Sequence, residues 1–264
     1  MRQIISALLG ATALSFAGAP ASFAANMPAA APPYQAPSWT GFYAGVNAGY
    51  GFGTAPTSLS PNAAELTVIL PVNNPPPSAL HPGGFIGGGE IGYDYQIGNI
   101  VAGLESDLSF AGLAKTGSAA GAPYIGGTLL TTVQTKLDWF GTIRGRLGIL
   151  PTSDILLYAT GGLAYGEVRT TTTGSNLGVS NCNGLGFAVY CASGSTSGIS
   201  TGWTIGGGLE YALARQWTVK AEYLYLNLGK RSATFADLDV PGGALTASTD
   251  FKAQLVRVGV DYHF

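Results

Sequence analysis

Eight segments of alternating apolar and polar residues, separated by gaps that run long, short, long, short, long, short, long, predict an all-β chain. The expected fold is an eight-stranded antiparallel up-and-down transmembrane β-barrel, because sorted loop lengths put tight turns at one end and long loops at the other. An absence adds to this: beyond the amino terminus no apolar run approaches the roughly 20 residues of a spanning helix. Nor does any amphipathic helix offer cover for the apolar faces of eight strands.

The amino terminus sets the compartment. Arg2 precedes an apolar run from Ile4 to Ala17, and Ser22-Phe23-Ala24 carries small residues at the positions a signal peptidase reads. Residues 1–24 are therefore expected to be a secretory signal peptide, cut after Ala24; a membrane anchor would need a longer run than one ended by Gly18 and Pro20. Residues 25–38, rich in Ala and Pro, read as a flexible or polyproline-like leader. The folded part, residues 39–264, then begins near Trp39 and has the length of one undivided β domain.

The expected strands are Gly41 to Phe52, Gly84 to Ile97, Ile100 to Ala111, Thr132 to Leu150, Ile155 to Thr170, Gly202 to Leu213, Trp217 to Leu228 and Phe251 to Phe264. Gly98-Asn99 suits a two-residue hairpin, Pro151-Thr152-Ser153-Asp154 a slightly longer one, and Ala214 to Gln216 closes the third short gap. The last strand sets Val256, Val258, Val260, Tyr262 and Phe264 against Leu255, Arg257, Gly259, Asp261 and His263. The fourth sets Leu137, Trp139, Ile143, Leu147 and Ile149 against Lys136, Asp138, Thr142, Arg144 and Arg146. The fifth is ambiguous, since both of its faces are apolar or Gly-rich. Aromatic residues near the short turns, Trp39, Phe42, Tyr43, Tyr93, Tyr95, Trp217, Tyr262 and Phe264, resemble an interfacial girdle.

The polar faces collect Glu90, Asp94, Glu105, Asp107, Asp138, Glu210, Glu222 and Asp261 against Lys136, Arg144, Arg146, Lys220 and Arg257. Buried charges persist only when paired and hydrogen-bonded, so a narrow barrel is expected to hold them as a lumen ion-pair network. A two-sheet sandwich with these residues in water is the alternative.

With these residues laid out, the chain resembles the small Gram-negative outer-membrane β-barrel family of the outer-membrane immunogenic and RopB-like proteins, whose architecture is that of the OmpA-type barrel. The resemblance rests on the first strand from Trp39 to Gly51, on Gly141-Thr142-Ile143-Arg144-Gly145-Arg146-Leu147-Gly148, on Tyr158 to Gly166, on Glu222-Tyr223-Leu224-Tyr225 and on Val258 to Phe264. It implies a location in the cell outer membrane, contact with its lipid, and a closing strand ending in Tyr262 and Phe264 as the signal read by the outer-membrane assembly machinery. It carries over no catalytic residue and no cofactor. The first long gap departs from a minimal member in holding Pro75-Pro76-Pro77, and the third in holding Cys182 and Cys191.

Those two cysteines lie within one expected external loop of an oxidising compartment and are expected to form a disulfide. Metal ligation lacks a nearby histidine. Enzymatic chemistry finds little support: His81 falls in the first loop and His263 at the carboxyl-terminal end, far from an outer rim. Gly87-Gly88-Gly89 precedes a strand and not a helix, which excludes a phosphate loop. With Arg2 removed, 11 basic residues face 14 acidic ones without clustering, so nucleic acid is not an expected partner. What remains is a structural envelope protein with a packed lumen and exposed loops. The alternatives are a small porin-like channel, suggested by inward glycines such as Gly45, Gly49, Gly88, Gly92, Gly103 and Gly259, and an adhesin acting through its loops on an unnamed extracellular ligand.

Overall fold

The computed structural model describes residues 38–61, 79–121, 128–177, 192–236 and 244–264. The expected signal peptide, Pro75 to Pro77, Cys182 and Cys191 lie outside them, as does the leader up to Pro37. Every regular element is a strand: β1 (Gly41–Thr54), β2 (Thr57–Pro61), β3 (Gly83–Ile97), β4 (Ile100–Ala120), β5 (Thr128–Thr152), β6 (Ile155–Leu177), β7 (Ala192–Ala212), β8 (Trp217–Ala236) and β9 (Ala244–His263). No helix of the described residues is long and apolar enough to cross a membrane.

Eight of these strands close a ring. Antiparallel pairing runs β1, β3, β4, β5, β6, β7, β8, β9, and β9 returns to β1 over Tyr43↔His263 to Thr54↔Lys252. The terminal Phe264 N–H donates to Phe42 O at 2.9 Å, which finishes the seam. β2 prolongs β1 past Pro56, whose missing N–H interrupts the ladder, and pairs with β9. At the short-turn end, Gly98 takes φ 63°, the left-handed conformation a two-residue hairpin needs and glycine supplies without strain. The β5–β6 turn is tighter than expected, with Thr152 paired to Ile155.

Apart from β5, which also runs on to Thr152 at its short turn, the strands outrun their expected ends on the long-loop side. β4 and β5 stay paired to Ala120↔Leu130, β6 and β7 to Gly174↔Ala192, β8 and β9 to Ala236↔Ala244. These extensions are built of Ser, Thr and Gly, whose hydroxyls bridge the strands, as in Ser118 to Thr132 at 2.9 Å and Ser232 to Ser248 at 2.7 Å. Such residues show no apolar alternation, which is why periodicity stops short of them.

The ring's outer surface is apolar in a band between two sets of aromatic residues. Near the short turns Phe42 packs on Tyr93 at 4.8 Å and Trp217 on Tyr262 at 5.1 Å. Toward the long loops Tyr50 packs on Phe85 at 5.3 Å and Trp203 on Tyr225 at 5.4 Å. Val46, Leu104, Leu147 and Val258 lie exposed between them. Inside, the sequence-based expectation of a polar lumen holds for one half only. Toward the long loops the interior is an apolar core in which Leu113, Leu137, Phe140, Leu224, Leu226 and Phe251 are buried.

Candidate functional site

The interior's polar half is built by strands whose inward positions are charged at successive levels. β3 supplies Glu90 and Asp94, β4 Glu105 and Asp107, β5 Arg144 and Arg146, β7 Glu210, β8 Lys220 and Glu222, and β9 Arg257 and Asp261, all of them buried. Glu105 is the hub. It receives Lys220 Nζ at 2.9 Å, Arg146 Nη1 at 3.4 Å, Arg257 Nη2 at 3.5 Å, Arg144, and the Tyr43 hydroxyl at 2.8 Å. Around it Arg257 reaches Glu222 at 2.6 Å, Lys220 reaches Glu90 at 2.7 Å, and Arg146 reaches Glu210 at 2.6 Å. Arg144 completes the cluster by joining Glu222 and Asp107, each at 2.9 Å.

Charge within this cluster is unequal: seven carboxylates, Asp94 included, face four lysine or arginine side chains. The shortfall falls on Asp94 and Asp261, none of whose oxygens accepts a hydrogen bond. Their nearest cations are Arg146 Nε at 3.6 Å and Lys220 Nζ at 3.7 Å.

Lys136 and Asp138, assigned to the lumen from alternation, do not lie there. The β5–β6 register shifts between Leu137 and Trp139, and this bulge inverts the faces of β5 on its long-loop side. Leu137 turns inward, while Lys136 and Asp138 pair at 2.5 Å with side chains 46% and 24% exposed. Neither contributes to the lumen network.

Uncharged partners were not part of the expected network, and Trp39 and Tyr43, expected in the aromatic girdle, are buried instead. Tyr43 and Tyr158 both point inward, and Arg146 lies 4.3 Å from the Tyr158 ring centroid. Thr142 donates to Asp107 at 2.5 Å, Asn47 to Glu90 at 3.0 Å and Thr218 to Glu210 at 2.6 Å. For Thr142 and Thr218 the available signal was parity with Arg144 and Lys220, since residues two apart share a face.

Inward glycines make room for these large side chains. A Cβ on Gly92 would run into the Tyr43 ring, one on Gly103 into the Asp94 carboxylate, and one on Gly259 would stand 3.2 Å from both Glu90 and Lys220. The space each glycine leaves is already occupied by a neighbour.

At the short-turn mouth the chain entering β1 folds across the opening. Trp39 is buried against Val101, Leu156 and Tyr158. Its Nε1 donates to Ser153 O at 3.0 Å and its backbone N–H to Gln96 Oε1 at 3.2 Å, ties to two separate turns. Its ring meets His263 edge-on at 5.9 Å, and His263 stacks on Tyr43 at 5.3 Å. His263 is thus buried beside Glu210, whereas His81 is exposed ahead of β3. Among the described residues no three His, Cys, Asp or Glu are grouped as a metal would require.

Residues 17–264 match the model of the outer membrane protein beta-barrel domain. The chain is 39% identical over 240 residues to the 31 kDa outer-membrane immunogenic protein of Brucella melitensis, covering 89% of this chain and 87% of that one. It is 28% identical over 232 residues to the 22 kDa outer membrane protein of Rhizobium leguminosarum bv. viciae, covering 88% and 82%. Among solved structures, the outer membrane protein OprG from Pseudomonas aeruginosa aligns at 13% identity and a TM-score of 0.44, over 88% of this chain and 100% of that one.

Proposed function

The chain belongs to the outer-membrane β-barrel family, and from that premise we propose that its barrel is a closed scaffold that holds strand hairpins at the cell surface and conducts no solute. The observation that carries this is the layering of the interior: an aromatic plug at Trp39, a charged cluster about Glu105, and an apolar core from Leu113 to Phe251. A permeating ion would have to displace paired charges and then cross an apolar layer. An eight-stranded ring is just wide enough for its own side chains to fill. Among the described residues the same filling leaves no site in the lumen for a substrate, and we take the protein as non-catalytic.

Purified protein in a planar bilayer is expected to give a quiet baseline with rare, small steps. Frequent large, stable openings would overturn the closed-lumen reading in favour of the porin-like one.

A recognition role is favoured by a separate observation. Outside the apolar band, hydroxyl ladders such as Thr171 to Ser195 at 3.2 Å and Thr57 to Thr249 at 3.1 Å hold the hairpins in regular pairing. Polar, ordered surface of this kind suits contact with an external partner. Trimming the β4–β5 hairpin back to Ala114 and Lys136 separates the roles: a scaffold keeps heat-modifiable migration and every surface interaction, whereas a recognition protein keeps the first and loses binding.

A further inference from the structure

The bulge at Asp138 sends Lys136 out of the barrel wall, where it stands directly across the ladder from Arg169. Two cations opposed on adjacent strands repel, an arrangement a sheet surface ordinarily avoids. Here acids stand behind them. Asp138 lies 2.5 Å from Lys136 and 3.8 Å from Arg169, and Glu167 lies 3.6 Å from Arg169. Glu167 is itself fixed by Trp139 Nε1, which donates to it at 3.2 Å. The acids are 24% and 27% exposed and the cations 46% and 51%, so the side presented outward is cationic.

Toward the bilayer from this pair lies apolar ground. Trp139 and Tyr165 meet edge-on at 6.1 Å as part of the aromatic set nearest the long loops. With Leu108, Ser109 and Phe110 they line a surface hollow of about 360 Å³. Gly141 leaves room for the Tyr165 ring to lie over it, because a Cβ there would come within 2.6 Å of that ring. Lys136 precedes Trp139 by three residues on β5, which puts the cations about 7–10 Å beyond the hollow. That is the separation of a lipid's headgroup from the start of its chains.

We propose that Lys136 and Arg169 dock the phosphate of an outer-leaflet lipid whose acyl chain enters the hollow lined by Leu108, Phe110, Trp139 and Tyr165. Charge complementarity selects the headgroup and the hollow selects a tailed molecule over free phosphate. The paired acids hold both cations in register without covering them, and a phosphate placed between the cations offsets their mutual repulsion.

The test is native mass spectrometry of the full barrel released from detergent, with a bisphosphorylated acyl-glucosamine lipid, its dephosphorylated form and inorganic phosphate as probes. The phosphorylated lipid should be retained over its dephosphorylated form, with a loss of about fivefold for Lys136→Gln or Arg169→Gln and about 25-fold for both. Leu108→Trp, which fills the hollow, should weaken the lipid and leave inorganic phosphate unchanged. Lys252→Gln, which removes a rim cation paired with Asp250 at 2.6 Å, should change nothing. Heat-modifiable migration verifies folding of each variant, and the single variants stand in if the double one does not assemble. Equal retention of the dephosphorylated lipid, a preference that survives in the variants, or inorganic phosphate binding as tightly as the lipid would each overturn the proposal.

Discussion

Replacing Lys220 by methionine tests whether the lumen is held by a charge network that is short of cations. The ammonium lies 2.7 Å from Glu90, 2.9 Å from Glu105 and 3.7 Å from Asp261, fully buried. Methionine keeps most of the stem's volume, so little cavity is created and the loss is electrostatic. Glu105 retains three guanidinium partners, and Glu90 retains Asn47 at 3.0 Å and Arg257 at 3.7 Å. Asp261 keeps no cation among the described residues. Removing one partner of a buried pair costs about 3–5 kcal/mol, and here the deficit deepens to three cations against seven carboxylates. Removing an acid should cost far less: Asp261→Asn replaces a carboxyl group whose oxygens accept no hydrogen bond, and is expected to cost about 1 kcal/mol or less. The double variant should recover about 0.5–3 kcal/mol of the Lys220→Met loss. Urea titration in lipid vesicles, followed by heat-modifiable migration from both the folded and unfolded sides, measures all three. A Lys220→Met variant within about 1 kcal/mol of the parent, or an Asp261→Asn variant equally damaged, would refute the reasoning.

Three further perturbations address other layers. Trp39→Ala removes the plug and its bond to Ser153 O; a loss of about 3–5 kcal/mol is expected in the same titration. Gly92→Ala drives a methyl into the Tyr43 ring and pushes its hydroxyl away from Glu105, so a loss of about 1–3 kcal/mol is expected, relieved by pairing it with Tyr43→Phe only in part because the ring stays. Val258→Arg, at an outward position 58% exposed in mid-strand, should cost about 2–4 kcal/mol in vesicles if it meets the bilayer midplane; no loss would mean that face is not against lipid.

The periplasmic half of the barrel was legible because its two surroundings differ. Lipid outside and paired charge inside give strands such as β9 an unmistakable alternation, and the Val258 and Arg257 faces read directly from it. In the other half the contrast vanishes. On β8, Leu224, Leu226 and Leu228 point into an apolar core while Tyr223 and Tyr225 point outward, so both parities are apolar, as in a sheet buried on both sides. The ambiguity of the fifth expected strand has the same cause: Ala164 and Val168 belong to that core and Leu163 to the outer band. The hydroxyl-rich extensions beyond it bury small polar residues such as Thr131, Thr172 and Thr249 on their inner face, so they carry no apolar alternation.

Lys136 and Asp138 were misplaced for a more local reason, and it bears on function. Leu137 and Trp139 are two apart and both apolar, so a single alternation appeared to run through them from Leu137 to Ile149. Phe140 contradicts it: by parity it shares the face of Arg144 and Arg146, yet an aromatic residue does not fit a file that also holds Lys136 and Asp138. The bulge resolves the conflict by letting Leu137 and Phe140 both turn into the apolar core while Lys136 turns out. A regular strand with this sequence would turn Lys136 and Asp138 together into the apolar core beside Leu113 and Val168, and burying even a paired ion there would cost several kcal/mol. One extra residue thus does two things at once. It keeps the apolar half of the lumen free of charge, and it delivers a lysine beside Arg169 at the level where the aromatic residues meet the membrane surface.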